Sequence, residues 1–168
     1  VRVWLPVVTQ QEAALAAAPA AAAPAAAAGA SVRVLLVDDE LPVLELASRH
    51  FQLFGAEVVT AANGRRALEL LAQHGPFDLV VSDVVMPELG GLDVLREVRR
   101  RWPATPVVLM SGYARLELQG DAQPDGWLAK PFTGEKLKAA LREALESGAR
   151  ARERLRGERA SPAGAPAP

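Results

Sequence analysis

The chain has 168 residues and a formal net charge of −1, from 19 Lys and Arg against 20 Asp and Glu. That balance gives no global field toward nucleic acid or an anionic membrane, and the length suits one domain with a full core plus tails. Without Cys there are no disulfides and no thiolate metal sites, and no apolar stretch is long enough to span a bilayer.

The chain starts at Val1, not Met, and is expected to be a piece of a longer or processed protein. Residues 1–8 read as a stub, in which Val1-Arg2-Val3-Trp4-Leu5-Pro6 alternates weakly and ends in Pro, as an edge strand that stops would. Residues 9–31 read as a linker of nearly pure Ala, broken by Pro19, Pro24 and Gly29. Ala favours helix, but the prolines cap any helix at about two turns. Leu15 is the only large apolar residue there, so the segment cannot bury a core. Gln10-Gln11-Glu12 and the prolines also interrupt any signal-peptide pattern, and no basic n-region precedes it.

From residue 32 the pattern changes. Residues 32–37 are a near-continuous apolar run, expected of a strand buried on both faces, and it closes with Asp38-Asp39. Leu44, Ala47, Phe51 and Phe54 recur at helical spacing until Gly55. Residues 57–60 predict a short strand, and 64–73 a helix with Ala67, Leu68 and Leu71 inward. Residues 77–83 predict a strand that ends at Asp83. Leu92, Leu95 and Val98 line a third helix that stops before Pro103. Residues 106–110 predict a strand closed by Ser111, and 126–129 a strand closed by Lys130-Pro131. Between them only residues 114–119 have helical character, about a turn and a half, so the fourth helix is expected to be short or missing. Gly120, Asp121, Pro124 and Asp125 read as loop. Leu137, Leu141 and Ala144 mark the last helix. Residues 148–168 read as a charged, frayed helix extension and then a Pro/Ala-rich end, largely disordered and too short for an output domain.

Strands alternating with helices over residues 32–147 predict an α/β domain with a doubly wound parallel sheet. Five strands suggest the order 2-1-3-4-5, with the ligand crevice where strands 1 and 3 diverge. Asp38, Asp39 and Asp83 end those two strands, and Ser111 and Lys130 end the next two. Three carboxylates at one edge repel one another unless a cation sits among them, and hard oxygen donors suit Mg²⁺ or Mn²⁺. A carboxylate oxygen beside such a cation can attack phosphorus to form an acyl phosphate. The lysine supplies a fixed positive charge and the hydroxyl a directional hydrogen bond.

Asp38-Asp39, Asp83, Met86-Pro87, Gly90-Gly91, Ser111-Gly112 and Lys130-Pro131-Phe132, in this order and at strand ends, resemble the receiver domain of two-component response regulators. The resemblance covers about residues 32–146. It implies a flavodoxin-like (βα)5 fold, with Asp83 as phosphoacceptor and Asp38, Asp39, Asp83 and the Val85 backbone carbonyl as Mg²⁺ ligands. Lys130 and Ser111 would contact the phosphoryl group, and Trp127 stands at the aromatic switch position. Lys130-Pro131 would be a cis peptide, Gly112 would leave room for the phosphoryl group, and Gly91 would lie in the loop after the acceptor. The donor would be the phosphohistidine of a histidine kinase core, in the same chain or another, or of a phosphotransfer protein. A cytoplasmic location and a monomer or weak dimer are expected, with no nucleic-acid contact and no membrane contact by this segment, in keeping with the balanced charge. The stub resembles the closing strand of a histidine-kinase ATPase domain, which with the linker points to the C-terminal receiver of a hybrid histidine kinase.

Other assignments fit the residues less well. His50 and His74 lack the acidic and basic context of donor histidines and read as surface residues. Haloacid-dehalogenase-type phosphatases need a second Asp two residues after the nucleophile, where this chain has Val85. A nucleotide-binding Rossmann unit needs a Gly-rich turn where Asp38-Asp39-Glu40 stands. A pseudo-receiver that binds partners without phosphate is the remaining alternative. Glu40 is expected only to favour the start of the first helix.

Overall fold

The structure is a computed structural model and describes residues 31–112 and 122–160, without the side chains of 158–160. The expectations for the stub, for the linker up to residue 30, for residues 114–119, for Gly120 and Asp121, and for 161–168 fall outside the described residues.

Five strands form one parallel sheet: β1 (Arg33–Val37), β2 (Glu57–Ala61), β3 (Leu79–Asp83), β4 (Val107–Ser111) and β5 (Gly126–Ala129). Their order is β2-β1-β3-β4-β5, as predicted. The described helices are α1 (Leu41–Leu53), α2 (Gly64–His74), α3 (Gly91–Arg101) and α4 (Gly134–Ala160). The register aligns Leu35 with Val59 on one side and Val80 on the other, and Asp83 with Met110.

The unbroken apolar strands follow from the two covered faces. Successive strand residues point to opposite sides. Leu35, Val37, Val80 and Leu109 therefore pack with Ala67, Leu70 and Leu71 of α2 and Val94, Leu95 and Val98 of α3. Val34, Leu36, Val81 and Met110 pack with Leu44, Ala47 and Phe51 of α1 and Leu137, Leu141 and Ala144 of α4. Each fully buried Leu or Val contributes about 1.5–3 kcal/mol by leaving water.

Helix starts are locally specified. Pro42 sits in the first turn of α1, where its missing N–H leaves no bond unmade. Asn63 caps α2 by accepting the Arg66 N–H at 2.8 Å. β3 starts at Leu79, later than predicted, although Phe77 before it is buried. His50 is half-buried and not a plain surface residue: its ring packs so closely on Gly134 that a Cβ there would stand 2.8 Å from Nδ1.

The charged helix extension expected to fray after residue 147 is held as helix as far as Ala160, where α4 continues unbroken. Ala149, Arg150, Ala151, Arg152 and Glu153 are strong helix formers. Gly148, Ala151 and Leu155 also prolong the inward stripe of Leu137, Leu141 and Ala144, and all three are at least half-buried. Two anchors hold this part. Arg152 pairs with Asp78 at 3.0 Å, and the Ser147 hydroxyl donates to Asp125 Oδ1. Among the described residues no helix is long and apolar enough to cross a membrane.

Candidate functional site

In a parallel sheet all strands end on the same edge, so residues remote in sequence arrive together there. β1 hands the chain to Asp38, β3 ends at Asp83, β4 ends at Ser111, and β5 hands the chain to Lys130. Asp38 is 0% exposed, and Asp83 and Ser111 are buried as well.

Lys130 is the centre of the cluster. Its ammonium lies 2.7 Å from Asp38 Oδ2, 2.8 Å from Asp83 Oδ1 and 3.7 Å from Glu40 Oε1. Its backbone N–H donates to the Ser111 carbonyl at 2.8 Å, which fixes where the side chain leaves the sheet. The second carboxylate oxygens are also held. Asp38 Oδ1 accepts the Glu40 N–H at 2.9 Å, and Asp83 Oδ2 accepts the Val85 N–H at 3.1 Å. The Lys130–Pro131 peptide is cis.

Burial pushes the Asp38 carboxyl above the usual carboxylate range; the Lys130 hydrogen bond, the Glu40 N–H and the lysine charge offset this only in part, and the Asp83 charge adds to the rise. Burial alone would lower the Lys130 ammonium. Its hydrogen bonds to Asp38 and Asp83, with their charges, prevail and leave it above its ordinary value. Lys130 is therefore cationic at neutral pH.

The backbone around Asp83 is tightly built. A Cβ on Gly91 would overlap the Asp83 carbonyl oxygen, so only glycine lets α3 start against the end of β3. Gly91 is thus the first residue of α3 and not a loop residue. The loop between them holds a γ-turn, in which the Leu89 N–H donates to the Pro87 carbonyl at 2.8 Å around Glu88 at φ 62°. Val85 is 69% exposed beside it, and its hydrocarbon side chain can neither give nor take a proton. A Cβ on Gly112 would meet nothing within 4 Å.

Asp38, Asp83 and Lys130 thus meet, with Ser111 at the neighbouring strand end. Asp39 stands exposed at the same edge, outside the lysine's ion pairs. Trp127 is half-buried, opposite Leu109 in the β4–β5 register, and packs on the α2/α3 side of the sheet. Glu40, expected only to favour a helix start, is a third carboxylate facing Lys130. Its place directly after Asp38-Asp39 is the signal in the sequence.

Among the described residues, no three His, Asp or Glu side chains converge closely enough to hold a metal ion by themselves. Asp38 and Asp83 nevertheless already share one cation, the ammonium between them. A donor set of carboxylates completed by backbone carbonyl and water suits a hard, partly hydrated ion such as Mg²⁺.

The family model for the response regulator receiver domain matches residues 34–142. The chain is 40% identical over 117 residues to the regulatory protein AtoC of Escherichia coli, covering 68% of this chain and 25% of that protein. It is 36% identical over 153 residues to the sensor kinase CckA of Brucella abortus, covering 86% of this chain and 16% of that one. The chain therefore spans a quarter or less of these two relatives. Among solved structures it resembles the Thermotoga maritima response regulator TrrA in complex with Mg(2+)-BeF, at 35% identity and TM-score 0.62, covering 67% of this chain and 98% of that one. On the strand order, the shared edge and these matches, the chain belongs to the response regulator receiver domains of two-component signal transduction.

Proposed function

We propose that this receiver takes a phosphoryl group from a phosphohistidine onto Asp83 and switches a partner-binding surface in response. The observation that carries the reading is the Lys130 ammonium shared by Asp38 and Asp83 across the ends of three strands. Asp83 presents an oxygen to phosphorus, the P–N bond breaks, and its electron pair stays on the imidazole nitrogen. Asp38, Asp39, Asp83 and the Val85 carbonyl would hold Mg²⁺, or Mn²⁺ in its place. The ion, when bound, neutralises charge growing on the phosphoryl oxygens. Lys130 turns from its carboxylates to the new phosphoryl oxygens, a charge-assisted contact. Ser111, one strand away, donates its hydroxyl to the same group, and Trp127 moves inward as the aromatic switch. The result is a shift between two populated states.

An open groove of about 430 Å³ adjoins this edge, lined by Pro42, Val43, Leu46, Pro131 and Phe132. Leu46 is 49% exposed there. An apolar lining beside the acceptor suits the flank of a helix that carries the donor histidine. The match to the CckA sensor kinase runs over 153 residues, against 117 for AtoC, and so extends beyond the receiver. That supports a receiver joined to a kinase core, the C-terminal part of a hybrid histidine kinase working in the cytoplasm. The donor is that core or a separate phosphotransfer protein, and the chain acts as a monomer or weak dimer.

The test is intact-mass measurement after incubation with acetyl phosphate and Mg²⁺. One phosphoryl adduct is expected on the parent and none on Asp83→Asn. An equal adduct on both, or none on the parent, overturns the assignment.

A further inference from the structure

The opposite edge of the sheet, where β3 and β4 begin, carries a second recess, built partly from residues beyond the family match, which ends at 142. Its volume is about 440 Å³, and it is lined by Pro76, Trp102, Pro103 and Leu155, with Arg152 and Arg156 also at its walls. Two features of the chain create it. α3 ends in Trp102, whose backbone N–H donates to the Val98 carbonyl at 2.8 Å. α4 then passes over the segment after Trp102 because Gly148 permits it: a Cβ there would stand 2.9 Å from Pro106 Cδ. The continuation of α4 through Leu155 supplies the remaining wall.

The charge at this recess is uneven. The Arg101 guanidinium stands 5.9 Å from the Trp102 ring centre, a cation–π arrangement. Arg152 is paired with Asp78. Arg156 has no acidic side chain within ion-pair distance among the described residues. Glu97 answers both Arg100 and Arg101, which leaves one positive charge over in that trio. The recess is thus apolar within and net positive at its border. Trp and Arg are the residue types that dominate binding hot spots.

We propose that this recess is a docking site for an acidic peptide segment of a partner protein. One or two large apolar side chains would enter between Trp102 and Leu155, and neighbouring carboxylates would meet Arg156 and Arg101. A volume of this size holds about two such side chains. The site is separate from Asp83, so a partner can be held there whatever the state of the acceptor.

The probe is a fluorescein-labelled peptide, Glu-Asp-Leu-Phe-Glu-Leu-Asp, read by fluorescence anisotropy on the whole 168-residue chain. Controls are the same peptide with Lys for each acid, the same with Ala for each apolar residue, and a single-stranded oligonucleotide. Saturable binding of the first peptide alone is expected, weakened roughly fivefold or more by Arg156→Glu and by Leu155→Ala. Arg156→Glu is expected to take the phosphoryl group from acetyl phosphate as the parent does, which shows that it folds. Absence of binding, equal binding of the Lys peptide, or indifference to Arg156→Glu overturns the proposal. Tighter binding of the oligonucleotide overturns it in favour of a nucleic-acid surface.

Discussion

Lys130 and Asp38, 92 positions apart in the chain, are joined by a 2.7 Å hydrogen bond across the end of the sheet. The same ammonium reaches Asp83 at 2.8 Å. One cation therefore holds the acidic edge together, and the consequences for stability and chemistry can be measured.

Lys130→Ala leaves Asp38, Asp83 and Glu40 facing one another without their ammonium. Removing one partner from a buried ion pair costs about 3–5 kcal/mol. Urea unfolding without divalent ions is expected to show a loss of that order, partly recovered on adding Mg²⁺. The acetyl phosphate adduct is expected to fall about tenfold or more. A variant as stable as the parent in metal-free buffer would show that the carboxylates do not depend on Lys130.

Asp38→Asn is expected to stabilise the metal-free domain. Burial raises the Asp38 carboxyl, so above its ordinary value and up to its raised one the folded state holds more proton than the unfolded chain. Its contribution is greatest in acid and is lost as pH rises through that window. At neutral pH the buried charge is a net cost to folding, which the uncharged amide removes. Unfolding midpoints across pH 3–8 are expected to fall less steeply with rising pH for the variant. Lys130 acts in a different range. Its contribution is complete below about 10.4 and is lost only as pH climbs through the raised folded value, in strong alkali.

Glu88→Gly relieves the γ-turn. Glu88 holds φ at 62°, where a Cβ costs about 1–2 kcal/mol, and glycine's extra chain entropy returns part of that. Its ion pair with Arg65 spans 3.5 Å between exposed groups and contributes little. A gain of about 0.5–1 kcal/mol in urea unfolding is expected. A loss would mean that the loop needs the side chain.

Asp125→Ala removes a shared acceptor. Asp125 Oδ2 accepts from the Val107 N–H at 2.7 Å and from Arg99, and Oδ1 accepts from Ser147. Its loss strands a strand N–H and a hydroxyl and takes the carboxylate from Arg99, which keeps the Thr105 and Gln123 carbonyls, at about 2–4 kcal/mol. Ser147→Ala removes one bond and is expected to cost about 1 kcal/mol. Thermal unfolding of the two variants separates these values; equal effects would refute the node.

Much of this is legible along the chain, because it rests on local signals. Apolar runs bounded by turns locate the strands, and the three-residue spacing of Leu92, Leu95 and Val98 locates α3. Asp83 and Lys130 stand out because each ends such a run. Asp125 reads as loop punctuation, since nothing near it in sequence reveals that Arg99, Val107 and Ser147 converge on it. The length of α4 is equally hidden. The Arg/Glu stretch after Ser147 has one large apolar residue, Leu155, and residues remote in sequence, among them Pro76, Trp102, Pro103 and Asp78, give it something to pack on and pair with.

By itself the sequence determined the alternation of strands and helices, the two-sided burial and the residue types at the strand ends. These follow from side-chain period and solvent transfer, which act over a few neighbouring residues. Tertiary structure alone decided which charges share a cation. It put Glu40 within 3.7 Å of Lys130 and left Asp39 exposed. Such pairings depend on strand order and on how each chain segment leaves the edge, and those are settled only when the whole sheet closes.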